Sequence, residues 1–249
     1  MQNRYVGDVG DFGKYALLRA LGDIERPIRL SVVWCLVPNE NHNHDGRHIS
    51  YLDCVEFTNL DIELALLLRK VIKSGRRRVS AISASGALPA GTVFYESPLC
   101  PPNVRQLIRE DRIRHRCRWL EACLNATRTS HLVFFDPDNG LEVTSVPKHH
   151  SRAGKYIYWD ELVPFWKRRQ SLLVYHHLNR TKPASVQIDE MMTTIQMKFT
   201  DTIVRPLVFR RGSCRVFWLI CHRTAIGREI ERRADIFLKN GWAVHFQSF

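Results

Sequence analysis

Two carboxylates and an amide stand directly after an apolar run in the segment Phe134-Phe135-Asp136-Pro137-Asp138-Asn139-Gly140-Leu141. Pro137 has no N–H and Asn139-Gly140 is a strong turn dipeptide, so the segment predicts a buried strand that ends at Asp136 and a loop that follows it. Carboxylate and amide oxygens in such a loop can accept hydrogen bonds from an amine or hold a cation. A polar turn without a ligand is the alternative, but we take Asp136, Asp138 and Asn139 as candidate catalytic residues.

A second apolar run, Ser171–Tyr175, leads into His176-His177-Leu178-Asn179-Arg180. Adjacent residues on a strand point to opposite faces, so at most one of the two histidines addresses a site at the end of this strand. Imidazole changes its charge near neutral pH and can act as a general base. We assign this role to His176, and a core histidine with satisfied hydrogen bonds is the alternative. Asn179 and Arg180 can contact a base or a phosphate group.

Acids and glycines precede the first predicted helix, in Asp8-Val9-Gly10-Asp11-Phe12-Gly13-Lys14-Tyr15. Asp11 suits the cap of that helix, because a carboxylate accepts hydrogen bonds from the unpaired N–H groups of the first turn. Asp8, Lys14 and Tyr15 have no such structural role in the pattern. They are therefore candidates for contact with a ligand.

Three histidines and two acids stand within residues 39–48, and His42, His44, Asp45 and His48 are the candidate metal ligands among them. Imidazole and carboxylate are ligands of Zn, Mn or Fe. The spacing matches none of the common zinc patterns, which favours a polar loop beside a substrate or cofactor. A metal site and a plain surface loop are the alternatives.

These polar segments stand before or after predicted strands and helices, which alternate along the chain. The predicted strands are Leu30–Leu36, Val79–Ser83, Thr92–Glu96, His131–Asp136, Ser171–His176, Arg215–Cys221 and Trp242–Gln247. The predicted helices are Phe12–Leu21, Leu60–Ile72, Val104–Leu124, Asp160–Arg168, Ser185–Phe199 and Ala225–Lys239. Such alternation predicts a single α/β domain over residues 1–249, with an open, mainly parallel, seven-stranded sheet and helices on both faces. Ligands bind outside the carboxyl ends of the strands in such sheets, so the polar segments are expected to meet there.

Basic residues outnumber acidic ones in this chain of 249 residues, since 37 Lys and Arg against 25 Asp and Glu give a net charge of +12. Such an excess attracts polyanions through phosphate neutralisation. Nucleic acid is therefore the expected partner, and a solvated basic surface is the alternative. The stretch Arg105–Arg118, which includes Arg112, is one of several basic clusters.

Composition also bears on location and on metal content. No stretch reaches about 18 uninterrupted apolar residues, so no membrane span or membrane partner is predicted. The first residues lack the apolar core of a secretory signal, and the cytoplasm is the expected location. The seven cysteines form no Cys-x-x-Cys pair, which argues against a disulfide framework or a structural zinc site.

The order of these segments resembles that of Rossmann-fold, S-adenosylmethionine-dependent methyltransferases, particularly the bacterial adenine-N6 methyltransferases that act on large-subunit ribosomal RNA. Those proteins begin with a glycine-containing segment that leads to an Asp-x-x-Lys-rich helix, which is similar to Tyr5 through Gly10-Asp11-Phe12-Gly13-Lys14-Tyr15. They carry Asp-Pro-Pro-Tyr after the fourth strand, where this chain has Asp136-Pro137-Asp138-Asn139. Their closing pattern of strand, helix and strand is similar to Arg215–Cys221, Ala225–Lys239 and Trp242–Gln247.

The resemblance implies methyl transfer from S-adenosylmethionine to a nucleic-acid base, with adenine in RNA or DNA as the expected target. Asp136 and Asn139 would hold the target amine, and Asp138 and His176 complete the expected catalytic set. The residues expected at the cofactor are Tyr5, Gly10, Asp11, Lys14, Asn39, Asp45 and Gly46. The residues expected at phosphates are Lys14, Arg180, Arg105 and Arg112.

The chain departs from the family in two places. The glycine-rich loop of the family follows the first strand, where this chain has Pro38 through His48 with Gly46 as the one glycine. The aromatic residue of Asp-Pro-Pro-Tyr is replaced by the Asp138-Asn139 region. These departures leave room for a non-catalytic nucleic-acid-binding domain on the same scaffold.

A further alternative is a metal-dependent nuclease or phosphohydrolase. An apolar strand followed by Asp-x-Asp can hold a divalent cation, and Asp136, Asp138 and Glu142 would be its ligands for Mg or Mn. The leading interpretation has no metal site.

Overall fold

Nine strands and eight α-helices form the parts of the chain that the computed structural model describes, residues 1–22, 28–40, 46–211 and 213–248. The strands are β1 Leu30–Val33, β2 Val93–Tyr95, β3 Leu132–Phe135, β4 Gly140–Leu141, β5 Tyr156–Ile157, β6 Ser171–His177, β7 Thr202–Arg211, β8 Ser213–His222 and β9 Phe246–Ser248. The helices are α1 Val9–Leu21, α2 Val55–Thr58, α3 Ile62–Lys73, α4 Val79–Ser83, α5 Arg109–Ala126, α6 Trp159–Lys167, α7 Ala184–Lys198 and α8 Ala225–Phe237. The predicted α/β class is confirmed.

Seven strands form one sheet in the order β2-β1-β3-β6-β8-β7-β9, and β4 and β5 form a separate parallel pair. The neighbours from β2 to β6 are parallel, whereas β8 runs antiparallel to β6 and β7, and β9 runs antiparallel to β7. The prediction of a mainly parallel sheet is therefore not confirmed, because the sheet is mixed. The antiparallel half is built on a hairpin of β7 and β8, ten residues each, which needs no crossover helix.

Strand β1 lies where the chain reverses its direction across the sheet. The chain crosses from β1 to β2 on one side, and it then crosses back to β3 on the other side of β1. Connections that diverge in this way leave a crevice at the carboxyl ends of the strands, where α/β proteins bind ligands. Asp136 lies at this crevice, since its N–H donates to the carbonyl of Val33 at the end of β1, at 2.9 Å.

Alternate side chains of the central strands enter two apolar cores. Phe134 of β3 packs in one core with residues of α1, α3, α4 and α8, and Phe135 packs in the other with residues of α5, α6 and α7. Both rings are fully buried, which stabilises the fold by about 1.5–3 kcal/mol each. Helices therefore cover both faces of β3 and hold its end in place.

Helix α4 replaces the strand predicted over Val79–Ser83, so that prediction was wrong. Val79 and Ile82 are three residues apart, which places both side chains on one helical face, and both are buried in the core beside α3. The helical spacing of the two apolar residues decides the conformation against their β-branched propensity.

The last predicted strand, Trp242–Gln247, was wrong over its first half. Gly241–Val244 forms a 3₁₀ turn, because the Asn240 side chain accepts a hydrogen bond from the N–H of Trp242 at 2.9 Å. The chain becomes extended only in β9.

Strand β7 was absent from the prediction. Pro206 interrupts its apolar pattern, and a proline inside a run argues against a central strand. The sheet tolerates Pro206 because β9 pairs only with residues 207–209 of β7.

Of the described helices, none combines the length and the apolar character that a membrane span requires.

A buried ion pair joins α5 to α6. Nη2 of Arg116 donates to Oε2 of Glu161 at 2.8 Å and to the carbonyl of Tyr156 at 2.6 Å, and Nη1 donates to the carbonyl of Ala153 at 3.0 Å. The pair thereby fixes residues 153–156, which carry Lys155 to the cavity described below.

We predict that Arg116→Met lowers the free energy of unfolding by about 3–5 kcal/mol, because the buried Glu161 loses its close counter-charge and keeps only Lys148, at 3.9 Å. Urea unfolding followed by circular dichroism measures the loss. Arg114→Met is the matched control in the same helix, since Arg114 pairs with Asp111 at 3.4 Å on the surface. Its loss is expected to stay below about 1 kcal/mol. Equal losses in the two variants would show that the buried ion pair contributes no more to the free energy of unfolding than the exposed pair does.

Candidate functional site

A cavity of about 600 Å³ opens at the carboxyl ends of β3 and β6, beside the first turn of α1. It lies at the crevice that the sheet topology predicts. Its polar lining includes five carboxylates and four Lys or Arg side chains: Asp8, Asp11, Glu40, Asp136, Asp138, Lys14, Lys155, Arg180 and Arg215.

Helix α1 carries Asp11 and Lys14 and begins at Val9, earlier than predicted, with Asp8 directly before it. Asp8 is its cap, since Oδ1 of Asp8 accepts a hydrogen bond from the N–H of Asp11 at 3.0 Å. The prediction that Asp11 caps the helix was wrong. Because Asp8 takes this role, the Asp11 carboxylate is available for other partners inside the helix.

Lys14 lies between two carboxylates at the floor of the cavity. Its Nζ is 2.6 Å from Oδ1 of Asp11 and 2.8 Å from Oδ2 of Asp136. The other oxygen of Asp11 accepts hydrogen bonds from the Tyr15 hydroxyl at 2.8 Å and from the N–H of Gly7 at 2.9 Å. Asp11 is thus fully engaged, whereas Oδ1 of Asp136 has no partner among the described residues and its side chain lines the cavity.

Burial and charge act in opposite directions on this cluster. Burial alone would lower the pKa of Lys14, but Asp11 and Asp136 outweigh it and raise the pKa, so the ammonium stays protonated. Burial raises the pKa of Asp136, although Lys14 offsets part of the rise. Asp136 is therefore a stronger base than an exposed aspartate, while it stays paired with a cation.

Lys155 repeats this arrangement on the opposite wall of the cavity. Its Nζ is 2.7 Å from Glu40 and 3.3 Å from Oδ2 of Asp138. The Gln2 amide donates to both oxygens of Asp138, at 3.2 and 3.1 Å. The amino group of Met1 also lies 3.9 Å from Oδ1 of Asp138. Asp138 is thus tied to three neighbours, which makes it a support of the loop rather than an open acceptor.

Asn139 and His176 hold the end of the same loop. Nδ2 of Asn139 donates to the Tyr156 hydroxyl at 2.9 Å. Nδ1 of His176 accepts a hydrogen bond from the N–H of Leu141 at 3.0 Å. Gly140 has a φ of +132°, and a Cβ there would lie 2.3 Å from Nδ1 of His176, so the loop requires glycine at this position.

His176 lies outside the cavity lining, and its neighbour His177 takes a place in it. The alternation along β6 explains this, because Tyr175 and His177 share the face that the cavity exposes. The expectation that one histidine at most reaches the site agrees with this placement, but the assigned residue faces the loop. Burial, with a smaller contribution from His177, lowers the pKa of His176 to about 4, so its ring is neutral near pH 7.

The structure gathers most residues that the sequence assigns to the cofactor. Tyr5, Gly10, Asp11, Lys14 and Gly46 line the cavity. Asn39 is at the surface, where its side chain accepts from the N–H of Arg4 at 3.3 Å. Asp45, with His42 and His44, lies outside the described residues.

The four residues assigned to phosphates are dispersed. Arg180 is exposed and lines the cavity. Lys14 is neutralised by its two carboxylates, while Arg105 and Arg112 lie away from the cavity lining. Arg112 donates to three backbone carbonyls, those of Val104, Arg105 and His149, so it stabilises the start of α5.

The three carboxylates of the alternative metal site are held separately. Asp136 pairs with Lys14, Asp138 pairs with Lys155, and Oε2 of Glu142 accepts the N–H of Trp159 at 2.9 Å. Within residues 1–22, 28–40, 46–211 and 213–248, no group of three or more His, Cys, Asp or Glu side chains is arranged to hold a metal ion.

Sequence reasoning missed Tyr175, Arg215 and Lys155 at the cavity. Arg215 had a detectable signal, since it is the first polar residue of an otherwise apolar predicted strand. Lys155 had none, because it stands in a short 3₁₀ turn whose position depends on distant contacts. Comparisons with protein-family models, with curated proteins and with solved structures find no match to this chain.

We predict that Lys14→Met lowers the free energy of unfolding at pH 7 by about 3–5 kcal/mol, because two buried carboxylates then lack a counter-charge. The difference from the wild-type protein is expected to shrink at acid pH. Without the ammonium the pKa of Asp136 rises further above its value in the unfolded chain. The folded variant then binds a proton first and gains stability as the pH falls. Urea unfolding at pH 7 and pH 4.5 measures both effects, and equal losses at the two values would contradict them.

We predict that His176 makes the protein less stable below pH 6.5. The unfolded chain binds a proton near pH 6.5, whereas His176 in the folded chain binds one only near a pKa of about 4. Stability is therefore lost as the pH falls between these values, by at most about 3 kcal/mol. His176→Asn keeps an acceptor for Leu141 and removes the titration, so the variant should lack this part of the loss. An NMR-titrated pKa above 6 for His176 would contradict the prediction.

Proposed function

We propose that this protein binds S-adenosylmethionine in the cavity and transfers its methyl group to an exocyclic amine of a nucleic-acid base. The observation that carries the proposal is the meeting of Asp136, at the end of β3, with Lys14 and Asp11 of α1 in one cavity. These are the two segments on which the sequence resembles the methyltransferase family, and they are 122 residues apart at Lys14 and Asp136.

The chemistry of the lining fits such a cofactor. S-adenosylmethionine carries an amino-acid group with both charges and a sulfonium cation, and the lining supplies carboxylates and cations together. The volume of about 600 Å³ lies within the range of ligand pockets, about 300–1,000 Å³. Tyr5, Gly10 and Gly46 would hold the cofactor, which supplies an electrophilic methyl group when bound.

Asp136 is suited to hold the target amine. Lys14 fixes Oδ2, so Oδ1 is directed by the same contact and can accept a hydrogen bond from the amine. The raised pKa of Asp136 also allows Oδ1 to take the proton that the amine loses on methylation. Asn139 supports this geometry, because Tyr156 holds its Nδ2 and leaves Oδ1 to accept a second hydrogen bond.

A nucleic acid would reach the cavity from its exposed side. The charges of the carboxylates and lysines at the floor of the cavity offset one another, so the floor does not attract a polyanion. A single flipped or unstacked base, with its phosphates left at the exposed rim near Arg180, suits this distribution. The net charge of +12 supports attraction of the polyanion over a longer range.

We predict that the protein transfers tritiated methyl groups from S-adenosylmethionine to RNA or DNA, and that Asp136→Asn lowers the rate at least about 100-fold. The amide cannot take the proton from the amine. Calorimetry with S-adenosylhomocysteine checks that the variant still binds the cofactor product. Asp160→Asn is the matched control, since Asp160 is exposed on α6 and distant from the cavity lining. Its rate is expected to equal that of the wild-type protein.

Two results would contradict the proposal. If Asp136→Asn transfers methyl groups at the rate of the wild-type protein, Asp136 does not act as the base. If neither S-adenosylmethionine nor its product binds, the protein is not the proposed methyltransferase, and two other functions are distinguished by their own assays. Cleavage of nucleic acid that needs Mg or Mn and Asp136 would indicate a nuclease, and salt-dependent binding of nucleic acid alone would indicate a binding domain.

A further inference from the structure

Arg215 differs from the lysines of the cavity in its partners. Lys14 and Lys155 each contact two carboxylates. No carboxylate of the described residues lies within 4.0 Å of the Arg215 guanidinium, although its residue is only 8% exposed. A buried cation with no carboxylate in direct contact is costly, so its retention needs a reason.

The protein contacts of Arg215 use few of its donors. Nη1 donates to the carbonyl of Arg211 at 2.8 Å, and Tyr175 lines the cavity together with the guanidinium. A guanidinium has five N–H donors. None of its nitrogens is both fully enclosed and unpaired, and Arg215 lines the cavity, so the remaining donors are open to it.

The first turn of α1 meets the guanidinium at Gly10. A Cβ on Gly10 would lie 2.7 Å from Cζ of Arg215, so only glycine lets the guanidinium rest against this turn. The N–H of Gly10 has no partner among the described residues, and α1 is 13 residues long. A guanidinium and a helix N-terminus thus converge on one part of the cavity, and both attract anions.

The charge of Arg215 is stable in this place. Burial alone would lower the pKa of Arg215, but Tyr175 and Asp8 raise it, so the group stays protonated. Asp8 does not replace the missing partner, because its Oδ1 accepts the N–H of Asp11 and it stays beyond 4.0 Å. Arg180, the other arginine of the cavity, is exposed, and water can solvate it.

We propose that Arg215, with Gly10 and Tyr175, forms an anion subsite that takes the carboxylate or the phosphate group of a ligand in the cavity. The fork of the guanidinium would bind two anionic oxygens, and the N–H of Gly10 would bind one of them. The anion subsite does not itself depend on the proposed function. Only the identity of the molecule that carries the anion rests on that function. A carboxylate would come from the amino-acid part of the cofactor, and a phosphate would come from the nucleotide.

Calorimetry on the full chain with four probes separates these sources. S-adenosylhomocysteine carries the carboxylate, 5′-methylthioadenosine lacks it, and AMP and inorganic phosphate carry a phosphate. Arg215→Met is expected to weaken binding of the anionic probe roughly 10- to 100-fold. It should leave 5′-methylthioadenosine unchanged. Arg228→Met, an exposed residue of α8 outside the cavity lining, is the matched control and should bind every probe as the wild type does.

The pattern of losses identifies the anion. Loss of S-adenosylhomocysteine alone assigns a carboxylate, and loss of AMP and inorganic phosphate alone assigns a phosphate. If the wild type binds neither adenosine thioether, but binds phosphate through Arg215, the subsite stands and the proposed cofactor does not.

The subsite is wrong if folded Arg215→Met binds every probe as tightly as the wild type, or if the wild type binds no anionic probe. Circular dichroism establishes folding. Should Arg215→Met fail to fold, Arg215→Lys and Gly10→Ala replace it. The first keeps the charge without the fork, and the second displaces the guanidinium, so each should weaken the same probe that the subsite binds. Unchanged affinities in both would equally overturn it.

Discussion

The ammonium nitrogen of Lys14 lies 2.6 Å from one carboxylate of α1 and 2.8 Å from the carboxylate that ends β3, where water scarcely reaches. A charge in this position is tolerable only while both partners stay in place. Helix α1 must therefore lie against the sheet at one depth and one rotation. Its burial on nearly every side, the Asp8 cap and the glycines that face β7 and β8 all satisfy this requirement. Gly13 allows the ring of Phe209 to approach as Gly10 allows Arg215.

A second lysine fixes the other side of the same loop. Lys155 bridges Glu40 and Asp138, and the buried pair of Arg116 and Glu161 holds the segment that carries Lys155. The two aspartates of the loop consequently differ in character. Asp138 is bound through both oxygens, whereas Asp136 keeps one oxygen toward the cavity. A rigid loop with one open acceptor is better suited to orient an amine than a loop with two mobile carboxylates.

The sequence predicted the elements with strong periodicity and the loop that follows β3. The carboxyl-end rule then placed the Asp136 loop at the crevice, where Lys14 was expected to reach a ligand. Gly10 came from the family resemblance. Prediction from the sequence failed where pairing between distant segments decides the structure. Pro206 concealed β7, and without β7 the antiparallel half could not be foreseen. The choice between His176 and His177 depended on which face of β6 the cavity occupies, and no local pattern carries that information.

The distance along the chain between Lys14 and Asp136 has a consequence for folding kinetics. The hairpin of β7 and β8 closes between neighbouring segments, whereas the Lys14 cluster joins groups 122 residues apart. Contacts between distant segments form slowly, because the entropy of closing the intervening loop is lost before they stabilise the chain. The antiparallel half is thus suited to form early, and the cavity to form with the last strands of the parallel half. A newly made chain would carry this cavity only once the whole sheet has closed.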